Sequence, residues 1–131
     1  MLRLLGALTM FCLLAGCSTF GLNDDNGPTI DPHGYSAEGR ASYYGAQHQG
    51  KRTASGERFD QNALTAAHRQ LPFGTRLLVT NLSNSKTVVV KVNDRGPHTR
   101  SRLIDLSKAA AEQLGMVGDG VASVRIQTVG D

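Results

Sequence analysis

Three residues along the chain have side chains suited to proton transfer. Glu57 follows a glycine in a Gly-rich segment, His68 follows three small residues, and Asp94 follows a valine-rich run, residues 88–92. That run predicts a buried strand, which would deliver the Asp94 carboxylate to the rim of an apolar core just before the chain bends at Gly96-Pro97. A carboxyl group at such a rim can have its pKa raised toward the range of a general acid, so Asp94 is the first candidate for catalysis.

Each of these residues also has a structural interpretation. The Asp94 carboxylate could cap a turn or pair with the neighbouring Arg95, and Glu57 could be a solvated charge on a loop. A lone histidine beside small apolar residues, as at His68, is often a structural side chain. Spacing alone leaves both interpretations open at all three positions.

Other kinds of chemistry find little support in the sequence. The four histidines, at positions 33, 48, 68 and 98, lack the spacing of zinc ligands. The chain has neither a phosphate-binding Gly-rich loop nor a Gly-x-Ser-x-Gly motif around a nucleophile. The two cysteines, Cys12 and Cys17, both lie near the N-terminus. We expect no metal, no cofactor and no cysteine nucleophile, which leaves carboxylate chemistry.

The first residues have the pattern of a bacterial export signal. Arg3 provides a positive start, and residues 4–14 form an apolar run too short to span a bilayer. The segment Leu13-Leu14-Ala15-Gly16-Cys17 is similar to a lipobox. We therefore expect a lipoprotein signal over residues 1–16 and a diacylglycerol-modified Cys17 that anchors the chain to a membrane.

Residues 17–37 form the predicted flexible linker. They are rich in Gly, Asn, Asp and Pro and hold few apolar side chains, so burial cannot offset the entropy lost on folding. Ser18 at the position after the lipidated cysteine favours the periplasmic face of the outer membrane by Gram-negative sorting rules. The whole chain has a formal net charge of +3, from which the signal removes only Arg3. A charge this small and scattered predicts no nucleic-acid partner.

Residues 38–131 are expected to form one mainly β domain. β-branched and alternating patterns predict strands at 40–44, 75–82, 87–93 and 121–129. One helix is predicted over residues 108–114, with Ser107 as its N-cap and Gly115 after its C-terminus. Several short strands with one or two short helices indicate a small closed or nearly closed barrel.

Six motifs, in order, are similar to one known family. They are GRASYYG, GKRTASGERFD, LTAAHRQLPFGT, LLVTNL, VVVKVNDRGP and RLIDLSKAAAEQLG. On these motifs the chain resembles the rare lipoprotein A family of lytic transglycosylases. The resemblance implies a six-stranded double-psi β-barrel in which Glu57, His68 and Asp94 meet in one groove.

The resemblance also implies a reaction. Lytic transglycosylases cleave the β-1,4 bond between N-acetylmuramic acid and N-acetylglucosamine, in this family within denuded strands, as the muramic C6 hydroxyl attacks its own C1. We expect Asp94 to protonate the leaving oxygen and to act as base toward the C6 hydroxyl. We expect Glu57 to stabilise charge at C1 or share the proton transfer, and His68 to orient a carboxylate or bind sugar. Tyr44 and Arg95 are further candidates for substrate contact, with a core tyrosine and a loop ion pair as their structural alternatives.

Two other functions are compatible with the sequence. A non-catalytic module like the expansins, which share this barrel, would hold glycan in the same groove without cutting it. A structural lipoprotein would only tether the envelope to its partners. Many family members carry a C-terminal SPOR domain, and the motifs above include none, so the sequence assigns no septal role. The chain is expected to act as a monomer on peptidoglycan glycan strands.

Overall fold

The computed structural model describes residues 29–130. The predicted signal peptide, the proposed anchor Cys17 and the first part of the predicted linker lie outside the described residues. Between residues 29 and 130 there is no helix long and apolar enough to cross a membrane. The described elements are β1 Ser36–Tyr43, a 3-10 helix at Ala46–His48, β2 Thr65–Ala67, β3 Arg76–Asn81, β4 Thr87–Asp94, β5 Ile104–Leu106, α1 Lys108–Gln113 and β6 Val121–Thr128.

The six strands close into one barrel. Around it the strand order is β1-β5-β2-β4-β3-β6, so every strand has two hydrogen-bonded neighbours. β1 pairs with β5 and β2 pairs with β4 in parallel, whereas the other four pairs are antiparallel. Closure protects the strand edges from pairing with another chain. The predicted six-stranded barrel is confirmed.

Alternate residues of the strands fill the barrel with apolar side chains. In β3 and β4 the buried positions recur with the period of two that the strand pleat imposes. The buried strand residues include Leu77, Val79, Val88, Val90, Val92, Ile104, Leu106, Val124 and Ile126. Truncating one of the larger ones, as in Leu77→Ala, would cost about 2–5 kcal/mol of folding free energy. This packing fixes the strands from which the polar residues of the site project.

The α-helix begins and ends as its caps predict. The Ser107 side chain accepts a hydrogen bond from the backbone N–H of Ala110, and α1 ends at Gln113. Gly115 has a φ of +69°, the left-handed conformation that favours glycine after a helix. The buried residues Ala110 and Ala111 let this short helix lie close to the barrel.

The start of the domain differs from the prediction. β1 begins at Ser36, before both the strand predicted from Arg40 and the domain boundary predicted at residue 38. The reason is tertiary, because all but the last residue of β1 pairs with β6 and the preceding residues Ile30 and Tyr35 pack against the core. Composition alone assigned this segment to the linker.

Two strands are missing from the prediction. β2 and β5 have three residues each, which is too short to display an alternating pattern. Both lie inside the barrel order, where β2 sits between β4 and β5. β2 pairs with both β5 and the end of β4, so the two short strands lie beside Asp94.

Candidate active site

Two aspartates flank the short strand β2. Ala67 of β2 pairs with Asp94 of β4 on one side and with Asp105 of β5 on the other. Two strand spacings therefore separate the Cα atoms of the two aspartates, which corresponds to about 10 Å. The residue between them, Ala67, is buried and carries only a methyl group. A β-bulge between Ala66 and Ala67 shifts the register at this point, as is common beside active sites.

A cleft of about 470 Å³ lies against both aspartates. Its lining comes from the end of β1 and the segment after it, from the segment after β4 and from β5. The side chains that matter for chemistry or binding are the acids Asp94 and Asp105, the tyrosines Tyr43 and Tyr44, and the basic residues His48, Arg95, His98 and Arg102. A mostly polar lining of this kind suits a hydroxyl-rich substrate better than an apolar one.

Asp94 is held by three hydrogen bonds. Its Oδ1 accepts from the backbone N–H of Ala54 at 2.8 Å and from that of Arg95 at 2.9 Å. Its Oδ2 accepts from the Tyr44 hydroxyl at 2.5 Å. A carboxylate has about four lone-pair positions, so these bonds leave one on Oδ2 for a substrate proton. The carboxyl group is therefore fixed in direction and still able to exchange a proton.

Tyr44 contributes to the site through its hydroxyl. Its ring stacks on Phe59 at a centroid distance of 4.5 Å and meets the His48 ring edge-on at 5.1 Å. Burial and the hydrogen bond to Asp94 raise the pKa of the Tyr44 phenol, so the phenol stays protonated and donates. Tyr44, predicted as a sugar contact, lies in the cleft, but one face of its ring is covered by Phe59.

Asp105 is the second carboxylate of the cleft. Its Oδ1 accepts a hydrogen bond from the Ser42 hydroxyl at 2.5 Å and from Arg102 Nε at 3.3 Å. Among the described residues, no hydrogen bond occupies Oδ2 of Asp105, whose side chain is 21% exposed. Ser42 is its register partner on the parallel strand β1. Asp105 thus presents one oxygen to the cleft with its charge balanced by Arg102.

Sequence reasoning missed Asp105, although a signal was present. The residue lies between Ile104 and Leu106, two side chains that are fully buried. A charged residue between two core residues is unusual unless it faces a site or a partner. Ser42 and Arg102 carried no comparable signal, because their role depends on the pairing of β1 with β5.

Glu57 lies away from the cleft lining. Its Oε1 accepts a hydrogen bond from the Asn93 side-chain amide and its Oε2 forms an ion pair with Lys91, both at 3.0 Å. Lys91 and Asn93 are two residues apart on β4 and project from the same face, whereas the next residue, Asp94, turns into the cleft. The bonds to Asn93 and Lys91 lower the pKa of the Glu57 carboxyl, which keeps it ionised. The resemblance implied that Glu57 and Asp94 meet in one groove. In the structure the Glu57 carboxylate does not line the cleft that Asp94 lines.

His68 is buried, and its imidazole contacts neither carboxylate. Nδ1 accepts hydrogen bonds from the backbone N–H groups of Gln70 and Leu71, both at 3.1 Å, so the ring proton lies on Nε2. Nε2 faces the Tyr35 hydroxyl at 3.4 Å. Burial, with the nearby charges of Arg69 and Arg95, lowers the pKa of His68 to about 4. His68 is therefore a neutral side chain at ordinary pH.

The backbone of His68 does support Asp94. Its N–H donates to the Asp94 carbonyl at 3.1 Å, and its own carbonyl accepts from Arg95 Nη1 at 3.2 Å. Arg95 lines the cleft, but Nη1 also bonds the Leu71 carbonyl at 2.9 Å and its guanidinium lies 4.1 Å from the Phe73 ring centroid. These contacts hold the segment after β4. The guanidinium group that was expected to contact substrate is thus already engaged within the protein. No three His, Cys, Asp or Glu side chains between residues 29 and 130 are grouped to hold a metal ion.

Comparison with known sequences gives a consistent set of similarities. The model of a family described as lytic transglycolase matches residues 36–126. The endolytic peptidoglycan transglycosylase RlpA of Campylobacter jejuni is 52% identical over 103 residues, which cover 79% of this chain and 38% of that protein. The probable endolytic peptidoglycan transglycosylase RlpA of a Nostoc species is 59% identical over 97 residues, covering 72% of this chain and 26% of that protein. The chain thus spans less than two fifths of the length of these relatives.

Solved structures with the same barrel include proteins of other kinds. The Streptomyces papain inhibitor superposes with a TM-score of 0.60 at 25% identity, covering 74% of this chain and 96% of that one. An apo expansin of Clavibacter michiganensis superposes with a TM-score of 0.55 at 25% identity, covering 74% of this chain and 52% of that one. The barrel alone therefore does not specify an activity.

Proposed function

Because the chain belongs to the lytic transglycolase family, we propose that its cleft cleaves the glycan strands of peptidoglycan. Relatives with 52% and 59% identity carry the name of endolytic peptidoglycan transglycosylase. The observation that carries the proposal is the pair of carboxylates, Asp94 and Asp105, on either side of Ala67 in one polar cleft. Each of them has hydrogen-bonding capacity left on Oδ2.

The proposed reaction breaks the bond from C1 of N-acetylmuramic acid to O4 of N-acetylglucosamine. O6 of the same muramic residue forms the new bond to C1, and the C6 hydroxyl proton leaves. Because the nucleophile is part of the substrate, its effective concentration is high and no positioned water is needed. The products are a free O4 hydroxyl and a 1,6-anhydro end.

Asp94 is the proposed acid and base. Protonated on Oδ2, it gives its proton to O4 as the C1–O4 bond breaks, and the resulting carboxylate then takes the proton from O6. O4 leaves from the β face of the sugar and O6 attacks from that same face, so one group can serve both atoms. The proton on Asp94 is restored at the end of the cycle. The two N–H donors on Oδ1 keep Oδ2 as the reacting oxygen.

Asp105 takes the role that the sequence assigned to Glu57. Positive charge develops at C1 while neither O4 nor O6 is fully bonded, and an ionised carboxylate nearby stabilises that charge. The Ser42 hydroxyl and Arg102 orient Asp105 for this purpose. Glu57, His68 and Arg95 then act on the reaction only through the groups that they hold.

The proposal extends to the place of the protein in the cell. The similarity of residues 13–17 to a lipobox supports lipidation at Cys17, and Ser18 supports the periplasmic face of the outer membrane. The closed barrel supports action as a monomer. Metabolic labelling with palmitate tests the anchor, since Cys17→Ala should release an unlabelled chain from the membrane.

Replacement of Asp94 tests the proposed activity against the expansin-like alternative. Denuded peptidoglycan is incubated with the purified chain, and soluble glycan is measured over time. Asp94→Asn should reduce the rate by about 10²–10⁴-fold, since it removes the general acid. Unchanged release by Asp94→Asn would overturn the acid and base role. A chain that binds the glycan but releases none, with or without Asp94, would be a binding module instead.

A further inference from the structure

Glu57 forms the outer attachment of a tight turn, residues 53–57, which we call the clamp turn. The Thr53 N–H and hydroxyl both donate to the Glu57 carbonyl, at 2.7 and 2.8 Å. The Gly56 N–H donates to the Thr53 carbonyl at 3.0 Å, and Gly56 has a φ of +93° that favours glycine. These bonds make the turn one compact unit. A displacement of Glu57 therefore also displaces residues 54–56.

The clamp turn reaches β4 at three points. The Ser55 N–H donates to the Asn93 carbonyl at 3.2 Å, and the Glu57 carboxylate bridges the side chains of Asn93 and Lys91. The third point is the Ala54 N–H, which donates to Asp94 Oδ1 at 2.8 Å. The clamp turn therefore contacts both β4, through Lys91 and Asn93, and the carboxyl group of Asp94.

We propose that Glu57 is a positioning residue, a latch that holds the clamp turn on β4 so that the Ala54 N–H orients Asp94. The inference rests on the proposed function and refines it, because it removes Glu57 from the reacting groups. Both oxygens of the Glu57 carboxylate are already bonded, to Asn93 and to Lys91. Half of its side chain is exposed, at 48%, on a face of β4 that does not line the cleft.

A latch and a catalytic carboxylate respond differently to a charge swap. In the double variant Glu57→Lys with Lys91→Glu, the ion pair is remade in the opposite sense. The Asn93 amide can turn over so that its oxygen accepts from the new ammonium group. A lysine can hold the turn in this way, but it cannot replace a reacting carboxylate.

The experiment measures kcat and KM on denuded peptidoglycan for the two single variants and the double variant. Glu57→Lys and Lys91→Glu should each lower kcat about tenfold with little change in KM, because like charges push the turn away and misplace the acid. The double variant should recover to within about threefold of the unchanged chain. A double variant as slow as Glu57→Lys, with an intact fold, would overturn the latch.

Glu57→Gln provides a nearly isosteric second test that does not depend on the swap. Glutamine keeps the acceptor for Asn93, so a latch predicts that most of the activity is retained, whereas a catalytic Glu57 predicts a loss of about 10²–10⁴-fold. The exposed pair of Glu38 with Arg125, at 3.1 Å between β1 and β6, is the matched control. The same charge swap there should leave kcat unchanged.

Amide hydrogen exchange at Ala54 separates the latch from the proposed function. The Ala54 N–H should exchange slowly in the unchanged chain, faster in Glu57→Lys and slowly again in the double variant. This result does not require the chain to cut glycan. Equal exchange in all three would overturn the latch, while restored protection in a chain without activity would overturn only the function.

Discussion

Asp94 and Asp105 flank the same alanine, yet different parts of the molecule hold them. The partners of Asp94 come from the long segment after β1, which supplies the Tyr44 hydroxyl and the Ala54 N–H, and from the following residue. The side-chain partners of Asp105 are Ser42, on the neighbouring strand, and Arg102, three residues earlier in the chain.

The two aspartates owe their direction to different levels of the structure. Asp105 is fixed by the strand pairing that also builds the core, so its position follows from the fold itself. Asp94 has a fixed backbone but a carboxyl group whose direction depends on a loop. Both proposed roles need a carboxylate with a fixed direction, which strand pairing supplies for Asp105 and the segment after β1 supplies for Asp94. Substitution of the partners of each aspartate tests this difference.

After Asp94→Asn, the largest effect on activity is expected from Asp105→Asn. Asparagine keeps the size of the side chain but removes the negative charge near C1, so kcat should fall by about 10²-fold or more. KM should change little, because the neutral side chain still fits the cleft. Initial rates on denuded peptidoglycan measure both quantities. The exposed Asp119 gives a matched control, and full activity in Asp105→Asn would contradict the pairing of the two aspartates.

The shifted pKa of His68, whose backbone supports Asp94, predicts that the stability of the fold depends on pH. Its pKa is near 4 in the folded chain and near 6.5 when unfolded, so folding favours the neutral ring. The resulting stability is complete above pH 6.5 and is lost as the pH falls toward 4, by about 3 kcal/mol at most.

Urea unfolding at several pH values measures this loss. His68→Gln cannot titrate, so the difference in unfolding free energy between the two chains should shrink between pH 7 and pH 4. A difference that stays constant over this range would show that His68 titrates equally in both states.

Tyr44→Phe should have an intermediate effect on activity. Phenylalanine keeps the stack on Phe59 but removes the hydroxyl that donates to Asp94 Oδ2. Loss of one bond to a charged group costs about 1.5–3 kcal/mol, so kcat should fall by about 10- to 150-fold. Full activity in Tyr44→Phe would show that the hydroxyl does not support Asp94.

Ser42→Ala should have the smallest effect. The change removes one of the two bonds to Asp105 Oδ1, while Arg102 Nε still orients the carboxylate. We expect kcat to fall only about fivefold, because the bond from Arg102 and the strand pairing still hold Asp105 in place. A loss as large as that expected for Tyr44→Phe would contradict the view that the fold itself orients Asp105.

The sequence predicted the parts of the fold that local pattern controls. The alternation in β3 and β4, the valine-rich approach to Asp94 and the caps of α1 could all be recognised from neighbouring residues. The two three-residue strands could not, because their order comes from partners distant in the sequence. The partners of Asp105, Ser42 and Arg102, could not be predicted for the same reason.

The companions assigned to Asp94 show a second limit. The family resemblance implied that Glu57, His68 and Asp94 meet in one groove, whereas in the structure Glu57 and His68 touch groups that hold Asp94. Similarity of sequence motifs does not predict the direction in which a side chain points. The direction of Glu57 depends on Lys91 and Asn93, and that of His68 depends on the turn at Gln70 and Leu71.

Mass spectrometry of the soluble products from denuded peptidoglycan identifies the proposed reaction by the end group that it leaves. Two carboxylates that act on a substrate with an internal nucleophile predict fragments ending in 1,6-anhydro-N-acetylmuramic acid. Fragments heavier by one water at that end would show that the cleft positions a water and hydrolyses the bond. That result would contradict the reaction proposed for Asp94, and anhydro ends that disappear in Asp94→Asn would support it.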